Sequence, residues 1–296
     1  MDFISLGTFV QLLVTGISHG CLYGLVALGF VLIYKATEMV NFAQGDIMMW
    51  GAFIAFTLAS TYGLSYIPVV ILTIFVMAMF GLLLERTIIR PMIGEPPFAV
   101  LMLTIGLGFV LRAVAGMIWG HDEKEFDTPY SVDPLILGEV SLDYEQLVVV
   151  GCTIVLCLGL YVFLRFTRFG VAMQAASQNQ LAAAYVGIPV KGVVAITWCL
   201  STAIAAVAAL LVAPLQLIYP GIGFVVGIKA FVAAIVGGFG NLSGALIGGI
   251  CIGIVEQFVG YAFEGAYGET SVYVLLLLML FVRPQGLIAT IQRKKV

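Results

Sequence analysis

Three charged residues sit deep inside apolar runs of the chain: Arg112, Lys229 and Glu256. Each costs about 2.5–3.5 kcal/mol at the middle of a membrane on insertion scales, so something must satisfy them. Lys229 lies 12 residues before Asn241, Glu256 lies 15 after it, and Arg112 falls 14 residues into another apolar run. At helical rise these offsets put all three about 18–22 Å from the same membrane face. Opposite charges at one depth can form an ion pair toward the outer face, or line the outer mouth of a path. Two further patterns invite a chemical reading. "GISHG", 16–20, fits the G-x-S-x-G nucleophile elbow. That motif needs a strand–turn–helix setting, whereas this one lies in the first apolar run, and the other histidine, His121, lies in a polar connection. Ser18 is therefore not expected to act as a nucleophile, and His19 is expected to face a neighbouring helix. "GGFGNLSGALIGGI", 237–250, looks like a phosphate-cradling loop, but no strand precedes it and no Gly-Lys-Ser/Thr follows. Its Gly244 and Gly248, and Ala245, Gly249 and Gly253, fall four apart, which sets small residues on one face for close helix contact in a membrane. No His, Cys and carboxylate cluster has metal-ligand spacing. The expectation is no catalytic residue, no metal site and no cofactor.

The elements that must position these residues follow from composition. Of 296 residues, 62% are hydrophobic and 10% charged, against about 25% charged in a soluble domain. Apolar segments run at about 8–34, 47–64, 66–84, 98–119, 146–164, 192–213, 227–240, 244–260 and 266–282. The class is an all-α polytopic membrane protein, one membrane domain over 1–296, with eight or nine spans and broken helices. A barrel is excluded because alternating segments of about ten residues are missing. Cys21, Cys152, Cys157, Cys199 and Cys251 all fall in apolar runs and read as packing residues. The start, "MDFISLGTFV", lacks the marks of a cleaved signal. No basic stretch suits nucleic acid.

Orientation follows from Lys and Arg in short connections. Loop 85–97 holds Arg86 and Arg90, loop 165–191 holds Arg165, Arg168 and Lys191, and the tail holds Arg283, Arg293, Lys294 and Lys295. Loop 120–145 has Lys124 alone against eight acids. The basic connections and the C-terminus are expected in the cytoplasm; the acidic loop 120–145 and the N-terminus are expected outside. Parity then makes "GNLSG" a turn between a descending and an ascending piece, with Asn241 or Ser243 capping the helix that follows. A second break, 35–52, carries Asn41 and Gly45; Asn41 and Asn241 suggest an internal repeat. Asn41, Gly45, Asn241 and Gly244 are the candidate helix breaks along a path. Loop 165–191 is Ala- and Gln-rich and predicts one or two short helices outside the bilayer. Ser177 and Gln180 form a capping box, and Gly187 before Pro189 forms a stop. Such a loop suits docking to a cytoplasmic partner.

Several blocks, in order, resemble the permeases of branched-chain amino acid ABC transporters. They are "YGLVALGFVLIYKATEMVNFAQGDIMMWGA", "TIGLGFVLRAVAGMIWG", "RFTRFGVAMQAASQNQLAAAYVGIPV" and "GIKAFVAAIVGGFGNLSGALIGGICIGIVEQ", closing with "RPQGL" at 283–287. The resemblance covers nearly the whole chain. It implies a permease fold distantly similar to that of vitamin B12-type importers, in an inner or plasma membrane of a bacterium or archaeon. The implied partners are a second related permease, two cytoplasmic ATPase subunits and an extracytoplasmic binding protein, with a small-molecule substrate and surrounding lipid. ATP-driven alternating access would carry a hydrophobic amino acid along a mostly apolar passage. The docking loop carries over at Ala175, Ala183 and Gly187, with Gln174, Ser177 and Asn179 beside them. Val171, Gln174 and Asn179 replace residues that are commonly charged in the family. Related systems carry urea, short amides or other amino acids. An ion-coupled carrier is the rival reading, resting on the intramembrane charges and broken helices, and a membrane protease resting on "GISHG" is a third.

Overall fold

The computed structural model describes residues 5–131, 134–137, 140–263, 265 and 267–288; Arg293, Lys294 and Lys295 of the basic tail, and Asp133 and Glu139 of the acidic loop, lie outside them. Eleven α-helices dominate the described residues: α1 (Leu6–Thr37), α2 (Gln44–Phe56), α3 (Tyr66–Leu84), α4 (Pro97–Trp119), α5 (Tyr144–Phe166), α6 (Arg168–Gln178), α7 (Gln180–Tyr185), α8 (Val190–Val212), α9 (Ile222–Gly237), α10 (Leu242–Ala262) and α11 (Gly268–Val282). The nine apolar segments of the sequence each correspond to one of these, with α6 and α7 in the connection between the fifth and sixth. Among the described residues, six helices are long and apolar enough to cross a membrane: α1, α3 with its continuation, α4, α5, α8 and α10. The shorter α9 and α11 are also apolar.

Burial sorts these helices into an inner and an outer set. The most apolar window of α1 is 89% buried and that of α8 is 67%, against 22% for α5 and 28% for α3. Residues such as Ile67, Ile71, Phe75 and Leu83 of α3 and Val155 and Leu158 of α5 are exposed, as expected where lipid is the solvent. α1 and α10 form the tightest seam. A Cβ added at Gly20 would come 2.5 Å from Ile250 Cα and one at Gly16 2.8 Å from Ile254 Cα, while Gly24 faces Leu246. The falling partner numbers show the helices antiparallel. Gly249 and Gly253 face α1 across this seam, whereas Gly244 and Gly248 press on Gly237 and Ala233 of α9. The two small-residue sets read from the sequence therefore serve two different neighbours.

Three features depart from the sequence reading. The break after α1 is short: α1 ends at Glu38 in a left-handed conformation (φ 58°), and α2 already begins at Gln44. The connection 85–97 begins as helix, because α3 continues through a π turn at Glu85–Ile89 and a 3-10 turn at Arg90–Met92. There Glu85, buried, holds Arg90 at 2.9 Å. The acidic loop contains a small antiparallel hairpin, β1 (Leu135–Leu137) and β2 (Val140–Leu142), and Lys124 bridges to Ile218 beyond α8. After α11 the "RPQGL" stretch turns back, and the N–H groups of Leu287 and Ile288 donate to the carbonyls of Val236 (2.8 Å) and Gly237 (3.1 Å). Those are terminal carbonyls of α9, which an α-helix leaves without partners of its own. Gly286 and Gly238 both take positive φ; a Cβ on Gly286 would lie 2.4 Å from Gly238 Cα, and one on Gly238 would lie 2.4 Å from the Ile288 carbonyl oxygen.

Candidate functional site

Of the three intramembrane charges, two meet. Lys229 Nζ lies 2.6 Å from Glu256 Oε1, bridging α9 and α10. It also lies 2.9 Å from Oε1 of Glu269, at the start of α11. The Lys229 and Glu256 side chains are 7% and 10% exposed; that of Glu269 is 66% exposed. Tyr23 of α1 places its ring 5.7 Å from Nζ. Glu256 Oε2 has no hydrogen-bond partner among the described residues. At the next position of α10, Gln257 pairs with Nδ1 of His19 at 2.9 Å, so His19 faces α10. Ser18 is fully buried in the middle of α1, a helical setting with no elbow.

Arg112 does not join them. Its Nε and Nη2 donate to Oδ1 of Asp46 at 3.2 and 3.1 Å, and Nη2 reaches Oδ2 at 3.2 Å. Asp46 sits in the first turn of α2, where a carboxylate suits the helix dipole. In the sequence this stretch lies in the break at 35–52, and Asp46 is not among the charges expected to pair. The available signal was the acid itself, one residue after Gly45, in an apolar neighbourhood that leaves few other partners for a buried arginine. Gly108 makes the approach possible, since a Cβ there would lie 2.6 Å from Asp46 Oδ2.

The break between α1 and α2 is polar and buried. Asn41 accepts from the Ala43 N–H at 3.1 Å and donates to Gln44 Oε1 at 3.3 Å. The Ser201 hydroxyl of α8 shares its one proton between Gln44 Oε1 (3.2 Å) and the Gly29 carbonyl (3.1 Å). Phe42 N–H donates to Thr104 Oγ1 at 3.3 Å, and Trp50 Nε1 to the Leu111 carbonyl at 2.9 Å. Thr104 lies seven residues into α4, so α2 starts roughly 10 Å along that helix rather than level with its end. Gly45 packs against Gly223 and Gly227 of α9 with no room for a Cβ. At the other break Asn241 caps α10, accepting from Ser243 N (3.1 Å) and Gly244 N (3.3 Å). Asn41 and Asn241 thus make similar local turns, but Asn41 is buried in the bundle and Asn241 is only half-buried.

The connection 165–191 folds as α6 and α7. Thr167 caps α6, accepting from Gly170 N at 3.2 Å. The expected Ser177–Gln180 capping box is absent: Ser177 Oγ donates to the Gln174 carbonyl within α6 at 2.8 Å. Asn179 is the cap of α7 instead, accepting from Ala182 N at 3.0 Å. The chain takes the extended backbone an N-cap needs at Asn179 (φ −159°, ψ 106°), while Ser177 is still inside α6. Met173, Ala176 and Ala183 turn inward and Ala175 is half-buried, leaving Gln174, Asn179 and Gly187 exposed. Gly187 holds φ 88°. Val171, Tyr185 and Val186 are also exposed, at 60%, 88% and 77%; Tyr185 and Val186 are not among the docking residues expected from the sequence.

A family model described as a branched-chain amino acid transport system permease component matches residues 12–283. This chain belongs to that permease family. BraD, the high-affinity branched-chain amino acid transport system permease of Pseudomonas aeruginosa, is 33% identical over 97% of this chain and 98% of its own. LivH of Escherichia coli K12 is 29% identical over 97% and 98%. A probable LivH of Methanocaldococcus jannaschii is 32% identical over 89% and 87%. Among solved structures, PsaBC from Streptococcus pneumoniae in complex with Fab is similar at a TM-score of 0.49 and 17% identity, over 93% of this chain and 92% of that one. The permease is a multi-pass membrane protein and a transport component rather than an enzyme.

Proposed function

We propose that the permease is one membrane subunit of an ATP-driven, binding-protein-dependent importer that moves branched-chain, hydrophobic amino acids by alternating access. The observation that carries this reading is the near full-length likeness to permeases named for branched-chain amino acid transport. Its partners are a second related permease, two cytoplasmic ATPase subunits and an extracytoplasmic binding protein. The N-terminus and the loop 120–145 lie outside; the loop 165–191 and the C-terminus lie in the cytoplasm of a bacterial or archaeal cell. The ATPase docks on α6 and α7 through Gln174, Asn179, Tyr185, Val186 and the turn at Gly187. Movement of this pair is passed on by contact, because Gly170 abuts the Leu164 carbonyl of α5 and α6 packs against α1 and α8. Those helices hold the break at Asn41 and Gln44 through Gly29 and Ser201.

One observation favours the ion-coupled alternative: the buried, unpartnered oxygen of Glu256. The two readings separate in vesicles holding the permease with its ATPases, second permease and binding protein. Leucine, isoleucine and valine uptake is expected to need ATP on the ATPase side and to be indifferent to an imposed proton or sodium gradient. Uptake driven by a gradient without ATP would overturn the importer reading. Competition by urea or short amides, with none by leucine, would move the substrate elsewhere in the family.

A further inference from the structure

We propose that Arg112 forms a polar step in the translocation path, where its free guanidinium edge holds the α-carboxylate of the amino acid in passage while Asp46 fixes the arginine from behind. This deepens the importer reading and rests on it. A guanidinium carries five N–H donors. Asp46 occupies Nε and Nη2, and the two N–H groups of Nη1 have no acceptor among the described residues. The Asp46 side chain is 4% exposed and that of Arg112 is 25% exposed, so the side of the pair left open is the arginine. Arg112 lies 15 residues from the start of α4, about 22 Å along a helix of about 34 Å. At that depth an arginine facing acyl chains is disfavoured, and intramembrane charges turn to a protein interior or a watery path instead.

The surroundings say what the open side accepts. The Phe224 ring lies 4.8 Å from Cζ and the Phe109 ring 5.4 Å. Such rings hold the guanidinium plane by cation–π attraction. Both are themselves exposed, at 49% and 61%, and among the described residues of α9, Phe224 alone is exposed. An acceptor-seeking edge therefore sits beside two apolar ring surfaces. That combination matches a carboxylate attached to a branched aliphatic side chain: the carboxylate takes the edge, as planar forks favour, and the side chain rests on the phenyl rings. Asp46 cancels part of the charge, which keeps the hold weak enough for release, as conduction through a path requires.

The test uses the complete complex in vesicles, with radiolabelled leucine, and reads leucine carried per ATP hydrolysed. Arg112→Lys keeps the charge opposite Asp46 but loses the planar fork, and is expected to lower that ratio at least about tenfold, the scale of a lost charge-assisted bidentate contact. The paired change Asp46→Asn with Arg112→Gln removes both charges together; it is expected to recover normal thermal stability and assembly while leaving the ratio low. A paired variant that carries leucine as well as wild type overturns the subsite and makes the ion pair purely structural. Loss of the second permease from Arg112→Gln complexes also overturns it, by showing that a partner's acid covers the edge. A wild-type complex that hydrolyses ATP in response to the binding protein but carries no leucine fails the importer reading itself, a result separable from either of these.

Discussion

The Lys229–Glu256 pair and the Asp46–Arg112 pair are both ion pairs within a membrane bundle, yet they are built oppositely. Lys229 and Glu256 are buried, on adjacent helices α9 and α10, with the aromatic face of Tyr23 closing over the lysine. Arg112 is a quarter exposed, and its acid is delivered by a helix that starts partway along α4. A pair closed on all sides has exchanged water for one geometry, and removing either partner strands the other in a low dielectric. A pair with an open edge can change partners. The first arrangement holds helices together; the second is placed to meet something that moves.

The largest expected effect breaks the closed pair. Lys229→Met should leave Glu256 buried without its cation and cost about 3–5 kcal/mol, the range for an orphaned buried partner, seen as poor expression or a lowered unfolding temperature in detergent. Lys229→Met with Glu256→Gln should recover most of it, and equal behaviour of single and double variants would show that the pair does not hold α9 to α10. Arg112→Met should cost less, about 1–3 kcal/mol, because Asp46 keeps the N-terminus of α2 and any water reaching the open side. A larger loss than for Lys229→Met would reverse the comparison. Gly187→Val should strain only the end of α7, by about 1–2 kcal/mol for a left-handed residue, leaving both pairs and the spans intact. Its readout is ATPase co-purification and uptake, and unchanged values for both would remove α6–α7 as the dock. Glu269→Gln should be the mildest, within about 1 kcal/mol, since a largely exposed partner contributes little. A loss as great as that of Lys229→Met would mean that Glu269 is covered in the assembled complex.

Much of this was readable in the chain. Apolar runs marked nine of the eleven helices described, and a stop such as Gly187 before Pro189 marked where α7 ends, because only glycine takes φ 88° without strain. Lys229 and Glu256 could be placed near each other because they flank one turn, so helical rise alone compares their depths. The same rise put Arg112 at that depth too, but depth says nothing of azimuth, and its partner came from another helix. The capping box failed for a local reason: Ser177 and Asn179 both suit a cap, and only the backbone break at Asn179 decided between them.

By itself the sequence determined a multi-pass helical bundle, its family, its glycine seams and its exposed loop, since these rest on composition, periodicity and short-range turn chemistry. Which helix each glycine stripe meets was decided only in three dimensions, where Gly249 and Gly253 face α1 and Gly244 and Gly248 face α9. So was the starting depth of α2, which rests on hydrogen bonds from Phe42 and Trp50 to α4. The choice of Asp46 for Arg112 belongs with these, because it needs Gly108 to clear the way from 62 residues further along the chain. Contacts between residues remote in sequence depend on the relative rotation and height of whole helices, and no pattern within a single helix encodes those.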